Sequence, residues 1–284
     1  MSAIRSIATP AWAIALKGVS YECRTCQRSL VLRKSSARKA GIRMGGAWYC
    51  SPSCFTSGVE QELVELLKSG VEQSNHVSRM PLGLILMSKG LLTNAQLRAV
   101  TDEQKEVGGE IGDLLVRRGS VSERQVAVVR ATQWGCPVFA MPKHLVGTMI
   151  QVPSALIRLY SAVPLHYVAA TKFLLVGFVH GIEYGLLYAI EQMTGCKTQP
   201  CFVTPSDFAV QLQRQVEAMA PAENATPNEV EVDSAHTVKD IASILCSYGV
   251  DLEADEILLA KCREYLWARF LCGSRAVDLL FTTG

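Results

Sequence analysis

The sequence predicts a multidomain α+β protein, and three observations predict it. Two pairs of closely spaced cysteines lie in the first sixty residues. A two-helix pattern is written twice in the middle, at a fixed offset of 29 residues (Gly83 to Gly112). The remainder mixes apolar runs of period two with stripes of period 3.6, the marks of strands and helices. The expected division is an N-terminal tail (1–20), a small four-cysteine zinc-finger module with a following helix (21–70), a tandem helical repeat with a small α/β subdomain (76–217), a linker (218–235), and a helix followed by β-hairpins (236–284).

Composition narrows the classes. At 284 residues and 49% hydrophobic content the chain can bury a substantial core in two or three units. A net charge of +2 fits neither an overall nucleic-acid binder nor an acidic tail protein. The charge is uneven: seven basic and no acidic residues run from Arg24 to Arg43, and four acidic and no basic ones from Met219 to His236. In the tail, the apolar run Ala11–Leu16 is too short for a signal core, and no stretch reaches the ~20 apolar residues of a membrane span. Six of the ten cysteines (Cys136, Cys196, Cys201, Cys246, Cys262, Cys272) are scattered among apolar residues, where a thiol acts as a small hydrophobe. A reducing, cytoplasmic compartment is expected.

The other four are Cys23 and Cys26, then Cys50 and Cys54. Two pairs at turn spacing can converge on one tetrahedral ion with Zn–S distances of about 2.3 Å. A redox pair or four unligated thiols are the alternatives. Ser29–Leu32 and Ala47–Tyr49 read as strands between the pairs, and Ser51-Pro52 opens a helix striped by Val59, Leu63, Leu66 and Leu67. Knuckle, hairpin, and a second pair at a helix start resemble a treble-clef zinc finger. Four cysteines close the coordination sphere, so the expected Zn2+ is structural, contributing on the order of 10 kcal/mol to folding. The basic residues Arg24, Arg28, Arg33, Lys34, Arg38, Lys39 and Arg43 could contact phosphates or simply line a solvated loop.

A polar connector, Val71–Ser78, leads to the repeat. Gly83 matches Gly112, Gly90 matches Gly119, Thr93 matches Ser122, Gln96 matches Gln125, and Gln104 matches Gln133. Each copy reads as two short helices. The first ends at Gly90 or Gly119, where a residue without Cβ takes the left-handed conformation. Thr93 or Ser122 caps the second. A glycine early in a helix costs roughly 1 kcal/mol against Ala, so Gly83 and Gly112 need a reason: close helix packing, or a backbone that a flat ligand approaches.

The pattern Leu-Gly-x-x-Leu-x-x-x-Gly-(Leu/Val)-(Thr/Ser), with a Gln closing each copy, resembles the N-terminal MshEN domain of type II secretion and type IV pilus assembly ATPases. The resemblance covers Arg79 to about Glu217. It implies a cyclic di-GMP site along the two Leu-Gly starts: Leu82, Gly83, Leu86, Leu92, Ile111, Gly112, Leu115 and Val121, with Gln104 and Gln133 as polar contacts. It also implies a protein partner in secretion or pilus machinery. The family's Arg positions hold Pro81 and Glu110 here. Charge-assisted bonds contribute about 1.5–3 kcal/mol each, so losing two weakens affinity by roughly two to four decades.

Beyond Gln133, the string Gly135–Phe139 reads as a short strand-like exit. Helices are expected at Val152–Leu159, Glu183–Met193 and Pro205–Glu217, and strands at Val163–Val168, Phe173–Val179 and Cys201–Thr204. His144, His166 and His180 lack metal-helix spacing and read as core or edge residues. The acidic, Pro-bearing stretch after Glu217 is a linker. A helix over Val238–Tyr248 and strands over Glu256–Lys261, Tyr265–Leu271 and Ala276–Thr282 complete the chain. This last unit loosely resembles the domain ahead of the motor in the same ATPases, and is too small to stand alone.

No Gly-x-x-x-x-Gly-Lys-(Ser/Thr) loop occurs, nor any Gly-Lys dipeptide, so this sequence builds no phosphate cradle. Three classes remain: a non-enzymatic regulator or adaptor, a zinc-dependent nucleic-acid-binding protein using the basic hairpin, and an enzyme without a recognisable acid/base set. The first is expected, with nucleic acid not a partner.

Overall fold

The structure is a computed structural model that describes residues 19–32, 40–68, 79–140, 150–219, 228–232 and 237–283. The tail to residue 18, the connector 71–78, His144, Arg33, Lys34, Arg38, Lys39 and most of the linker lie outside them. The chain is α+β and divides into two compact units, Met1–Gly70 with Glu229–Gly284, and Val71–Asn228.

The first unit joins chain segments far apart in sequence. Its strands are β1 (Val19–Glu22), β2 (Ser29–Leu32), β3 (Ile42–Met44) and β4 (Ala47–Tyr49), followed by helix α1 (Pro52–Lys68). β1 and β2 pair antiparallel, as do β3 and β4. The sequence reading made one hairpin of β2 and β4, and that is corrected: each has its own partner. Gly45 and Gly46 have φ of +56° and +82°, the left-handed pair that a two-residue turn demands, and they fold β3 onto β4.

From the C-terminal segment come β8 (Glu229–Val232), α9 (Val238–Asp251), β9 (Glu256–Cys262), β10 (Tyr265–Cys272) and β11 (Arg275–Thr282). They and the β3–β4 hairpin make one six-stranded sheet, ordered β4-β3-β9-β10-β11-β8. Residues 236–284 are therefore not a separate sheet. Met44 pairs with Ile257 and the Gly45 N–H donates to the Ile257 carbonyl at 3.0 Å. Glu229–Val232, expected in the linker, is an edge strand parallel to β11. Its Val-Glu alternation suits a half-buried strand better than its acidic surroundings suggest.

Alternate residues of the sheet face the two helices. Ile42, Ile257, Leu266, Ala268, Phe270, Leu279 and Phe281 form one core with Phe55, Val59 and Leu63 of α1 and Ile241 and Leu245 of α9. On the opposite face the Arg269 Nε and Nη2 donate to the two oxygens of Asp278, each at 2.7 Å. The Trp267 indole N–H donates to the same carboxylate at 2.8 Å. All three residues are buried.

The second unit opens with the repeat: α2 (Leu82–Ser88), α3 (Asn94–Val107), α4 (Ile111–Arg117) and α5 (Glu123–Trp134). Next come α6 (Ser154–Tyr160), β5 (Ala162–Val168), β6 (Phe173–Phe178), α7 (Tyr184–Thr194), β7 (Lys197–Phe202) and α8 (Pro205–Met219). β5 and β6 are antiparallel, while β6 and β7 are parallel across the α7 crossover. The expected strand exit at Val138 is a single bridge to Phe202. No helix among the described residues is long and apolar enough to cross a membrane.

Candidate functional site

Two places gather the residues named from sequence, one in each unit. In the first, the knuckle is set by backbone. The Cys23 N–H donates to the Arg28 carbonyl at 3.0 Å and the Gln27 N–H to the Cys23 carbonyl at 2.9 Å, with Gln27 at φ +59°. The second pair sits at the start of α1, where Ser51 Oγ accepts from the Cys54 N–H at 3.2 Å. The Thr25 hydroxyl donates to the Cys54 carbonyl at 2.6 Å and ties the two halves.

The four ligand atoms of Cys23, Cys26, Cys50 and Cys54 lie within 4.8 Å of one another and can hold a metal ion. Cys26 and Cys50 Sγ are 3.5 Å apart, and Cys50 and Cys54 Sγ 3.7 Å. A tetrahedron with Zn–S of about 2.3 Å has edges of about 3.8 Å, so the spacing fits. Cys23 is buried and Cys26 exposed. Burial alone would raise the Cys23 thiol, but backbone N–H groups of Cys26, Cys50 and Thr25 outweigh it and bring it down to about 6. Hydrogen bonding from Cys26, with burial second, pushes Cys50 up to about 12. Four thiolates this close repel strongly without a cation among them. Of the basic residues nearby, Arg43 is paired with Glu256 at 3.0 Å.

In the second unit, both copies end their first helix the same way. Leu91 N–H donates to Leu86 O, and Ser120 N–H to Leu115 O, each at 3.0 Å. Gly90 and Gly119 supply the left-handed residue of this Schellman turn, with φ of +70° and +68°. Thr93 with Gln96, and Ser122 with Gln125, then form two complete capping boxes.

The structure gathers the eight nominated apolar and glycine residues around one interhelical core. Leu82, Leu86, Leu92, Leu115 and Val121 are its buried members, and Ile111 packs at its edge. Gly83 and Gly112 are buried as well. A Cβ on Gly83 would stand 2.5 Å from Leu97 Cδ1, and one on Gly112 2.9 Å from Val126 Cγ1. Leu97 and Val126 are themselves repeat equivalents, so close helix packing accounts for both glycines. The two glutamines bond backbone: Gln104 Nε2 donates to Gly109 O at 2.8 Å, and Gln133 Nε2 to Met80 O at 2.7 Å. Each copy's end is thereby tied to the other's beginning.

Sequence reasoning missed a polar cluster beside this core. Arg130 is 3% exposed, donates to the Val179 carbonyl, and lies 3.5 Å from Glu110 Oε2. Burial lowers its pKa, while the carboxylates of Glu110 and Asp113 hold it up. His180 Nε2 stands 4.0 Å from Asp113. The signal was an arginine directly after Val129, on the stripe that Val126 begins. Arg79, two residues ahead of the family's position, stacks over the Trp134 ring at 3.4 Å from its centroid.

No family model matches the sequence. Over 135 residues the chain is 26% identical to the type IV pilus assembly ATPase PilB of Thermus thermophilus, to which that stretch is homologous. The match covers 47% of this chain and 15% of that protein. Among solved structures, one of MshE with cdg is 21% identical, with a TM-score of 0.41, covering 48% of this chain and 99% of that one. The N-terminal domain of XpsE is 18% identical, with a TM-score of 0.37, covering 47% and 92%.

Proposed function

We propose that this chain is a non-enzymatic, cytoplasmic regulator or adaptor that docks to a protein component of pilus or secretion machinery. The observation that carries this reading is the 135-residue homology to a pilus assembly ATPase, in a sequence without any phosphate-binding loop. The thiolate cluster is a structural zinc site, because four cysteines at tetrahedral spacing leave no open position for substrate. Cyclic di-GMP is bound weakly or not at all. Glu110, where the family has a cation, already faces Arg130, and a second carboxylate, Asp113, adds to the repulsion of a dianion.

The test is surface plasmon resonance of the full chain against the purified assembly ATPase and the other cytoplasmic components of its own organism's machinery. Saturable binding to one of them is expected, and no ATP turnover by the chain. Absence of binding to every component, or a turnover abolished by a point substitution in this chain, overturns the reading. Calorimetry with cyclic di-GMP should give a dissociation constant weaker than about 1 μM.

A further inference from the structure

The six-stranded sheet is buried on both faces, but the described helices of its unit cover only one. α1 and α9 both pack on the face of Ile257, Leu266, Phe270 and Leu279. β1 and β2 lie beyond the β4 edge, which Cys23 joins by a bridge to Trp48. Strand register sets two rows of side chains on the other face: Ala260–Trp267–Leu280 and Leu258–Arg269–Asp278. Successive side chains of a strand point to opposite faces, so the helices do not reach these rows. A bare face would leave them in water. Instead Trp267 and Leu280 are 0% exposed, with Ala260 and Cys262 buried beside them. Arg269 is a second sign of cover. Asp278 takes its Nε and Nη2, a guanidinium has five N–H donors, and Arg269 is buried and engaged beyond those two bonds.

The unit Met1–Gly70 with Glu229–Gly284 has few segments outside the described residues. Residues 33–39 read Arg-Lys-Ser-Ser-Ala-Arg-Lys, 69–70 Ser-Gly and 233–236 Asp-Ser-Ala-His, and Gly284 ends the chain. None holds a large apolar side chain. The tail does: it carries Ile4, Ile7, Trp12, Ile14 and Leu16, and residues 6–16 are uncharged. That neutrality suits a face whose ion pair is already balanced, since a further buried charge would lack a partner. The reach is sufficient. At about 4.8 Å per strand, β10 and β11 lie roughly 14 and 19 Å across the sheet from β4. The 11 residues from Trp12 to Cys23 span up to about 38 Å when extended.

We infer that the tail lies on the Ala260–Trp267–Leu280 face through Trp12, Ile14 and Leu16, making the first unit three layers of helices, sheet and tail. Its backbone carbonyls accept from Arg269 donors that Asp278 leaves. The apolar run too short for a signal core is thus an internal cover. While it is in place, this face is closed to any partner.

Two buried free thiols report the faces separately: Cys262 on the covered face and Cys246 in the core beneath the helices. Their alkylation by N-ethylmaleimide is followed by peptide mass spectrometry on the native full chain. Combining Trp12→Ser, Ile14→Ser and Leu16→Ser should raise the Cys262 rate at least roughly tenfold by opening its face, with Cys246 unchanged. Arg5→Ala should change neither. A Cys262 rate unmoved by the triple variant overturns the inference, because residues other than the tail then cover the face. If both thiols react faster, the unit has opened as a whole, and Leu16→Ser alone decides. Selective reaction of Cys262 in that variant upholds the tail's placement; equal or unchanged rates reject it.

Discussion

The two units are held together by opposite means. In Val71–Asn228 the repeat is built from neighbours: capping boxes three residues wide, Schellman turns five wide, and glycines packed on the next helix. In the other unit, Met44 meets Ile257 across more than two hundred residues, two cysteine pairs converge from either side of β2–β4, and a buried Arg269–Asp278 pair clamps the β10–β11 hairpin. A unit made of many small local terms loses little when one is removed. A unit closed by a few large terms does not.

Metal removal should break the comparison most widely. A structural zinc contributes on the order of 10 kcal/mol to a small module, so chelation of reduced protein, or Cys23→Ser, should abolish the calorimetric transition of the first unit. The transition of the second should stay in place. Acid acts in the same direction, since the thiols must lose protons to bind the ion and affinity falls with pH. Without metal, the depressed Cys23 thiol adds stability that is complete above 9.0 and lost as pH falls through about 6.

Next in size is Asp278→Ala. It strips the carboxylate that accepts from Arg269 Nε and Nη2 and from the Trp267 indole, and breaking a buried ion pair by removing one partner costs roughly 3–5 kcal/mol. Urea unfolding should register it in the first unit alone. Pairing Asp278→Leu with Arg269→Met should recover much of the loss.

The smallest effect sharpens the local side. Thr93→Ala and Ser122→Ala each remove a cap and should cost about 1 kcal/mol, seen as faster amide exchange at Gln96 or Gln125. Equal costs in the two copies would show that their helix starts are energetically as well as geometrically equivalent.

What was legible in the sequence follows the same division. Gly90, Gly119, Thr93 and Ser122 act on residues within one turn, so spacing alone placed their turns and caps. The four cysteines were legible because thiolate chemistry admits few other uses for that spacing. The β3–β9 pairing was not, because nothing near Ile42–Met44 records a partner at Ile257. β8 was hidden by acidic, Pro-bearing neighbours that outweigh four residues of alternation. Within the candidate ligand site, the residue types gave the two Leu-Gly starts as equivalent positions of a repeat. What they could not show is that Leu82, Leu86 and Leu115 face inward and that both glutamines bond backbone.

The glutamine bonds also set an order of opening. Gln104 reaches a carbonyl 5 residues away, and Gln133 makes the equivalent bond across 53 residues. The two have the same chemistry but different chain entropy, and by the logarithmic closure law the longer loop costs about 2 kcal/mol more to form. The joint between Gln133 and Met80 should therefore part first, and the four-helix repeat should open from the entrance of α2 while the α3–α4 joint still holds.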